Sequence, residues 1–276
     1  MGEWWYGILG DGVVKVRQEG DTLRVSSSTD TIERAAITSY FRLDDDFQSI
    51  LASLMKEPRL TNAIQKFYGL RLLKQDFWEC LASYVLATNS NIPRIKGMIG
   101  ALSKRFGNVL SFEGLDYFSF PKADTLASAS LSELRNCGLG YRAEYLNRVA
   151  RVVSSGEFGW DEFPLLDYDA AHRALLRVLA GEKLLLGVGP KVADCVLLYS
   201  GMNDEAFPID VWIARELTTS FPEFFGAQMR RRLTNNDKSK ISASEYRVVS
   251  SAARRNFGRY AGYAQMYLFV SARNSL

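Results

Sequence analysis

Residues 185–195, which read LLGVGPKVADC, decide how the rest of the chain is interpreted. An apolar segment precedes a turn at residues 187–189, Gly-Val-Gly, and a helix then restarts with Pro190 in its first turn. Glycines have no side chain, so the free N–H groups at the start of the second helix can approach a phosphate closely. The stretch therefore predicts a helix–hairpin–helix over about residues 176–200 that suits a nucleic-acid backbone.

Two other phosphate-binding motifs do not fit the sequence. A P-loop has four residues between its glycines and a Ser or Thr after its lysine, whereas here one residue separates the glycines and Val192 follows Lys191. Residues 138–143, GLGYRA, match a loose dinucleotide fingerprint. The preceding residues 131–136 look helical, however, and no strand–turn–helix unit surrounds the glycines, which excludes a dinucleotide site.

Lys191 and Asp210 form the candidate chemical pair. Residues 207–213, FPIDVWI, place Asp210 at the N-cap of an apolar helix. Taken singly, the lysine is an ordinary phosphate-contacting or solvated side chain, and the aspartate is an ordinary helix cap. Taken together they suit chemistry on a sugar, because an unprotonated lysine amine is a nucleophile and a nearby carboxylate stabilises developing positive charge.

The hydrophobic pattern predicts a mainly α (α+β) fold with a small N-terminal antiparallel sheet. Helical spacing extends over residues 31–66, and the three aspartates at 44–46 indicate a helix start. From about residue 69 the chain reads as almost wholly helical, and we place a domain boundary there, giving domains 1–69 and 70–276. Three short runs predict the strands of the sheet: residues 4–9, 13–18 and 22–27.

Two finer expectations concern the helical region. Helical patterns lie near residues 76–87, 93–106, 123–136, 142–155, 169–180, 191–200, 211–220, 245–256 and 262–273. Residues 222–243 are polar and basic, which favours a surface loop.

Composition excludes several classes of protein. The chain has 276 residues, 47% of them hydrophobic and 24% charged, as in ordinary globular proteins. It has no run of about 18 apolar residues and no recognisable secretory signal, so we expect neither a membrane span nor export. Three cysteines and one histidine argue against disulfides, zinc and iron–sulfur clusters, and indicate an intracellular protein with reduced thiols.

Charge is unevenly distributed. Residues 229–276 carry ten Lys and Arg against two Asp and Glu, although the whole chain is only +3. This pattern is typical either of a solvated basic tail or of a face that binds a polyanion, and charge alone does not decide between the two.

The ordered motifs resemble those of the 8-oxoguanine DNA glycosylase/lyases in the helix-hairpin-helix DNA glycosylase superfamily. GVGPKVADC followed by FPIDVW carries the resemblance, which extends from about residue 4 to the C-terminus. Four further segments match in order and spacing: residues 69–76, 88–95, 138–143 and 260–265.

The resemblance implies base excision repair of double-stranded DNA that contains an oxidised purine. Lys191 would attack the sugar C1′ and form a Schiff base, which permits strand cleavage by β-elimination, and Asp210 would support the positive charge. Gln265 would read the edge of the flipped purine, with Phe269 and Cys195 on its two faces. No cofactor is implied, and we expect a monomer without membrane contacts.

The resemblance also implies the residues that contact DNA. Asn89 would contact the side of the unpaired cytosine, Arg94 would read that base, and Tyr141 with Arg142 would line the gap left by the flipped nucleotide. The hairpin residues Gly187 and Gly189 would contact the backbone. A structural cation, with no catalytic metal, would bind the backbone carbonyls of three hairpin residues: Lys183, Leu185 and Val188.

Three positions depart from the family pattern. A Gly-Gln-x-Phe-Arg-Trp strand, whose glycine carbonyl distinguishes 8-oxoguanine from guanine, does not occur in residues 1–30. Trp212 takes the place of a phosphate-binding histidine, and Ser90 replaces an asparagine. The damaged base and the preferred opposite base therefore stay open.

Two other functions stay open as well. A monofunctional glycosylase would use Asp210 to activate water, although such enzymes generally lack the hairpin lysine. A non-catalytic lesion-binding module would explain the hairpin and the basic face. It would not explain why Lys191, Asp210, Gln265 and Phe269 occur together.

Overall fold

A computed structural model describes residues 3–156, 163, 165–180, 189–234 and 241–274. Helices dominate these residues, with two small antiparallel sheets, so the predicted mainly α (α+β) class is confirmed. Among the described helices, none is long and apolar enough to cross a membrane.

The chain separates into two compact units, each built from two stretches of sequence. The first unit comprises Met1–Tyr40 with Val85–Glu157, and the second comprises Phe41–Tyr84 with Phe158–Leu276. This grouping interleaves the chain, whereas the sequence suggested one boundary near residue 69, and that boundary stays a prediction.

The N-terminal sheet has the order β1-β2-β3, with both pairs antiparallel, as predicted. Glycines at the two turns adopt positive φ, which an L side chain adopts only with strain: +59° at Gly10 and +58° at Gly20. The central strand β2 buries the valines of its apolar face in the first unit. The strands are β1 (Trp5–Leu9), β2 (Gly12–Glu19) and β3 (Thr22–Ser27).

The α-helices follow the predicted positions with one exception that is described below. They are α1 (Arg34–Tyr40), α2 (Phe47–Leu54), α3 (Thr61–Lys66), α4 (Phe77–Leu86), α5 (Ile92–Phe106), α6 (Ala123–Ser128), α7 (Leu131–Leu134), α8 (Arg142–Ser154), α9 (Tyr168–Ala180), α10 (Pro190–Tyr199), α11 (Val211–Ser220), α12 (Ala227–Thr234), α13 (Ala243–Phe257) and α14 (Ala261–Arg273).

A second hairpin shows that the prediction of an almost wholly helical chain after the N-terminal sheet is wrong at one place. Strands β4 (Val109–Phe112) and β5 (Leu115–Phe118) pair antiparallel. Their two-residue turn has φ values of +51° at Glu113 and +78° at Gly114, a geometry that matches the twist of the flanking strands. The Glu113 carboxylate pairs with the Lys15 ammonium of β2, which ties this turn to the N-terminal sheet.

The predicted helical pattern near residues 123–136 is confirmed as two helices, α6 and α7, because a cap divides it. The Ser130 hydroxyl accepts a bond from the Glu133 N–H, while the Glu133 carboxylate accepts from the Ser130 N–H. This capping box starts α7 afresh.

The predicted surface loop at residues 222–243 is wrong where it contains α12. Phe224, Phe225 and Leu233 of this region are buried, and the Phe224 ring stacks at 5.1 Å on Phe221. The basic composition concealed these apolar contacts, since three consecutive arginines directly precede Leu233 in one short helix.

Close packing at Gly262 joins α14 to the loop after α10. A Cβ at residue 262 would lie 2.1 Å from Leu198 Cδ1, 2.9 Å from the Asp204 carbonyl and 3.0 Å from that of Ala206. The Gly262 N–H donates to the Asp204 carbonyl at 2.8 Å. The Arg42 guanidinium donates two hydrogen bonds of 2.6 and 2.7 Å to the Asp204 carboxylate. Both the backbone and the side chain of Asp204 are therefore bonded to other parts of the unit.

We expect Gly262→Ala to lower the free energy of unfolding by about 1–3 kcal/mol, because the added methyl overlaps backbone as well as a side chain. Urea denaturation followed by circular dichroism measures the change. Gly97→Ala is the matched control, since nothing lies within 4 Å of a Cβ at that α5 position. There the same substitution is expected to stabilise by about 0.5–1 kcal/mol. Equal effects at both sites would contradict the packing argument.

Candidate active site

Five of the predicted site residues fall in the second unit, on three helices. Helix α11 packs against α14, and the side chain of Leu198 on α10 reaches Gly262 of α14. The five residues are Lys191 and Cys195, one turn apart on α10, Asp210 at the start of α11, and Gln265 and Phe269, one turn apart on α14.

Helix α10 begins at Gly189 and Pro190, as the sequence predicts. Gly189 is the N-cap in an extended conformation, and no side chain of the described residues caps the helix. Lys191 is exposed in the first turn. The start of α10 therefore presents an exposed cation at the positive end of the helix dipole, which is an arrangement that suits a phosphate. Four predicted positions in the hairpin turn lie outside the described residues: Lys183, Leu185, Gly187 and Val188.

Asp210 is the N-cap of α11, as the sequence predicts. Its Oδ1 accepts the Ile213 N–H at 2.8 Å, and the side chain is half-buried. The cap uses one carboxylate oxygen and fixes the direction of the other. Asp210 therefore caps the helix through Oδ1 alone, and the cap does not use Oδ2.

The charges of Lys191 and Asp210 both act on the buried Cys195 thiol. Burial raises the pKa of Cys195 to about 12, the positive charge of Lys191 lowers it, and the negative charge of Asp210, together with that of Asp194, raises it further. A hydrogen bond also links the thiol to Tyr84. Both charges therefore reach the same buried sulfur. Because this pKa keeps the thiol neutral near pH 7, Cys195 does not offer a thiolate nucleophile to this cluster.

The side-chain oxygen of Gln265 is buried and lacks a hydrogen-bond partner among the described residues. The residue is only 3% exposed, and the unpartnered atom is Oε1. An unsatisfied buried oxygen costs about 1–3 kcal/mol, so it marks a place where a ligand can supply a donor. Phe269 is half-buried one turn further along, with the Arg273 guanidinium 5.7 Å from its ring centre.

Trp212, the residue that departs from the family pattern, lies in the first turn of α11. It is half-buried, and the exposed Arg215 places its guanidinium 5.8 Å from the ring centre. The Arg215 guanidinium therefore supplies a positive charge near the start of this helix, although Trp212 itself carries no charge.

Four predicted DNA-contacting residues lie in the first unit, around a turn at residues 88–91: Asn89, Arg94, Tyr141 and Arg142. Asn89 is exposed and has a φ of +48°, which an asparagine tolerates better than most residues. Arg142 is 1% exposed, and its guanidinium donates to the Asn89 carbonyl at 2.9 Å and to the Thr88 carbonyl. The resemblance implied that Arg142 lines a gap in DNA, whereas the structure places it inside the unit as the clamp of the Asn89 turn.

Tyr141 and Arg94 reach solvent beside that turn. Tyr141 is 48% exposed, with its hydroxyl 3.4 Å from the Thr88 carbonyl and its ring at 5.6 Å from Tyr145. Arg94 is exposed in the first turn of α5, whose cap is the Asn91 side chain. The first unit thus exposes the Asn89 amide, the Arg94 guanidinium and the Tyr141 ring to solvent.

The basic C-terminal stretch is partly used inside the second unit. Arg232 pairs with Glu245 at 2.7 Å, and Arg254 pairs with Glu205 at 2.8 Å. Arg247, Arg255 and Arg259 are exposed. Fewer arginines of this stretch are therefore available to a polyanion than the sequence count indicates, and the choice between a solvated tail and a polyanion-binding face stays open. Within the described part of the chain, no group of three His, Cys, Asp or Glu is arranged to hold a metal ion.

Comparison with known families covers most of the chain. A profile described as 8-oxoguanine DNA glycosylase, N-terminal domain, matches residues 1–81. A second, described as HhH-GPD superfamily base excision DNA repair protein, matches residues 82–222 and so includes α10 and the start of α11.

Similar proteins agree with these matches. The probable N-glycosylase/DNA lyase of Methanothermobacter thermautotrophicus is 32% identical over 285 residues, which cover 95% of this chain and 83% of that relative. A structure of MBOgg1 with a low-affinity DNA ligand has a TM-score of 0.81 and 33% identity, covering 99% of this chain and 86% of that one. The 8-oxoguanine glycosylase/lyase of Clostridium acetobutylicum, bound to double-stranded DNA with cytosine opposite 8-oxoG, has a TM-score of 0.78 and 28% identity, covering 99% and 85%.

Proposed function

The chain belongs to the 8-oxoguanine DNA glycosylase family of the HhH-GPD superfamily, and we propose that its glycosylase and lyase activities depend on Lys191 and Asp210. The observation that carries this proposal is that the exposed Lys191, in the first turn of α10, and the half-buried Asp210, at the N-cap of α11, both lie near the buried Cys195. An amine and a carboxylate that lie near one residue suit chemistry on one sugar.

Lys191 acts as the nucleophile. Its neutral amine attacks C1′ of the damaged nucleotide, and the electron pair of the N-glycosidic bond leaves with the base, which takes up a proton. Opening of the sugar ring gives the Schiff base between Nζ and C1′. Loss of a C2′ proton then breaks the C3′–O bond, the 3′ phosphate leaves, and water later releases the lysine.

Asp210 acts through its charge. Positive charge develops at C1′ as the glycosidic bond lengthens, and a fixed carboxylate stabilises that charge without reorganising. The Ile213 N–H holds one oxygen and so prevents the side chain from turning away.

The remaining residues recognise the substrate. Gln265 supplies an unpartnered buried oxygen, which suits a donor on the edge of a flipped base, while Phe269 and the neutral Cys195 offer surfaces for its two faces. In the first unit, Asn89, Arg94 and Tyr141 meet the opposite strand, because they are exposed around one clamped turn.

Double-stranded DNA is the partner that these groups fit, bound by one copy of the chain and without a cofactor. The DNA complexes of MBOgg1 and of the Clostridium enzyme support this partner. An enzyme with this substrate works where the genome is, which agrees with the expectation of an intracellular protein.

Borohydride trapping on a duplex that contains one 8-oxoguanine opposite cytosine tests the function. We expect a covalent protein–DNA band together with strand cleavage, because reduction fixes the Schiff base. An undamaged duplex is the control and should give no band. Excision of the base without a trapped band would indicate the water-based monofunctional mechanism. Equal affinity for both duplexes without any product would indicate a lesion-binding module.

A further inference from the structure

A buried carboxylate on the helix of Lys191 has no part in the chemistry described above. Asp194 lies three residues after Lys191 on α10 and has no exposed surface. Its Oδ1 accepts the Tyr168 hydroxyl at 2.5 Å, and its Oδ2 accepts the Tyr246 hydroxyl at 2.6 Å. Each carboxylate oxygen therefore joins α10 to a different helix, α9 or α13.

Tyr246 makes a second bond that leads to Asp210. The Ile209 N–H donates to the Tyr246 hydroxyl oxygen at 3.3 Å, and Ile209 directly precedes Asp210. The Tyr246 ring is buried, so its hydroxyl is held between the two partners. One hydroxyl group thus connects the helix that carries Lys191 to the chain segment that carries Asp210.

We propose that Tyr246 is a positioning residue that, through Asp194 and Ile209, fixes Asp210 relative to Lys191. The proposal rests on the function proposed above for that pair. It assigns Tyr246 no contact with DNA. Its effect on the reaction passes through the placement of two other side chains.

The surroundings of Asp194 make this connection rigid. Burial raises the pKa of Asp194, while the charge of His172 and the two tyrosine hydroxyls lower it, so the carboxylate is held by several groups at once. His172 Nε2 lies 3.6 Å from Asp194 Oδ1 and 3.3 Å from the Pro190 carbonyl. The first turn of α10, which carries Lys191, is therefore held by the same cluster.

Small displacements at such a pair have large effects. A shift of about 1 Å in a reacting group can slow an enzyme about a hundredfold, because reacting atoms must meet at near-contact distance. Removing the Tyr246 hydroxyl would leave the Ile209 N–H and one Asp194 oxygen without their partner. The start of α11 would then lose its polar tie to α10.

Tyr168 provides a matched control. Its hydroxyl donates to the other oxygen of the same carboxylate, and its ring centre lies 3.7 Å from the Arg254 guanidinium carbon. Tyr168→Phe and Tyr246→Phe each remove one hydroxyl bonded to Asp194. Only Tyr246→Phe also removes the bond to Ile209.

Single-turnover excision on the 8-oxoguanine duplex, measured beside the melting temperature and the duplex Kd, compares the two variants. We expect Tyr246→Phe to slow excision about 10- to 100-fold, and Tyr168→Phe less than about threefold. The duplex Kd should stay near that of the wild type in both. Equal slowing in both variants would overturn the proposal, as would wild-type excision in Tyr246→Phe.

Amide hydrogen exchange, read by mass spectrometry on peptides that cover residues 207–213, tests the connection without any activity. Tyr246→Phe should speed exchange there, and Tyr168→Phe should leave it unchanged. Unchanged exchange in Tyr246→Phe would overturn the proposal. An inactive wild-type protein would contradict the proposed function instead, and the exchange result would still decide whether Tyr246 holds the start of α11.

Discussion

Lys191→Gln is expected to abolish base excision and borohydride trapping while DNA binding persists. Glutamine has a similar length but no nucleophilic amine, so no Schiff base can form at residue 191. The single-turnover rate should fall about a thousandfold or more. Because Lys191 is exposed at the first turn of α10, the substitution removes no buried contact, and the melting temperature should stay near that of the wild type.

Lys66→Gln is the matched control for this variant. Lys66 is an exposed lysine of the same unit, at the end of α3, and its loss changes the net charge equally. Both variants should bind the damaged duplex within about fivefold of the wild type, since one surface charge contributes little. Trapping that persists in Lys191→Gln would show that another amine forms the Schiff base and would remove the nucleophile role from Lys191.

The sequence predicts those parts of the fold that depend on neighbouring residues. The turns at Gly10 and Gly20 and the caps Asp46 and Asp210 all act within three or four positions of the chain. Such signals survive in a single sequence because the partner of each group lies close by. The proposed catalytic pair was predicted in the same way, from a glycine turn and a helix cap.

The errors arise where tertiary contacts decide the outcome. Strands β4 and β5 have four residues each, too few to show a period, and they depend on Glu113 at a turn with positive φ. The sequence of the α12 region indicates a basic loop, and the burial of Phe224 and Leu233 becomes evident only in the structure.

The clamp and the positioning contacts are the parts of the site that sequence reasoning missed. Arg142 bonds to carbonyls 53 and 54 residues away, and Tyr246 bonds to Asp194 from 52 residues away. No local pattern encodes either pair. The resemblance named Arg142 as a residue that lines the gap in DNA, and that role stays a prediction, while the structure shows that the side chain is buried.

Asp210→Asn separates the two tasks of that residue and is the second large effect that we expect. Asparagine is about as good an N-cap as aspartate, so its amide oxygen can still accept the Ile213 N–H. The neutral amide cannot stabilise positive charge at C1′, and single-turnover excision should fall about 10²- to 10³-fold. Urea denaturation should show a small change in stability, whereas Asp210→Ala should cost about 1 kcal/mol through loss of the cap.

Asp46→Asn makes the same chemical change at another helix start. Asp46 caps α2 by accepting the Ser49 N–H at 3.1 Å, and nothing in the proposed reaction uses it. Excision should therefore be unchanged in Asp46→Asn, with a stability change like that of Asp210→Asn. Full excision by Asp210→Asn would mean that residue 210 acts as a cap alone. Loss of activity in Asp210→Asn at nearly constant stability would assign the catalytic effect to the charge, because the hydrogen bond that starts α11 is the same in both proteins.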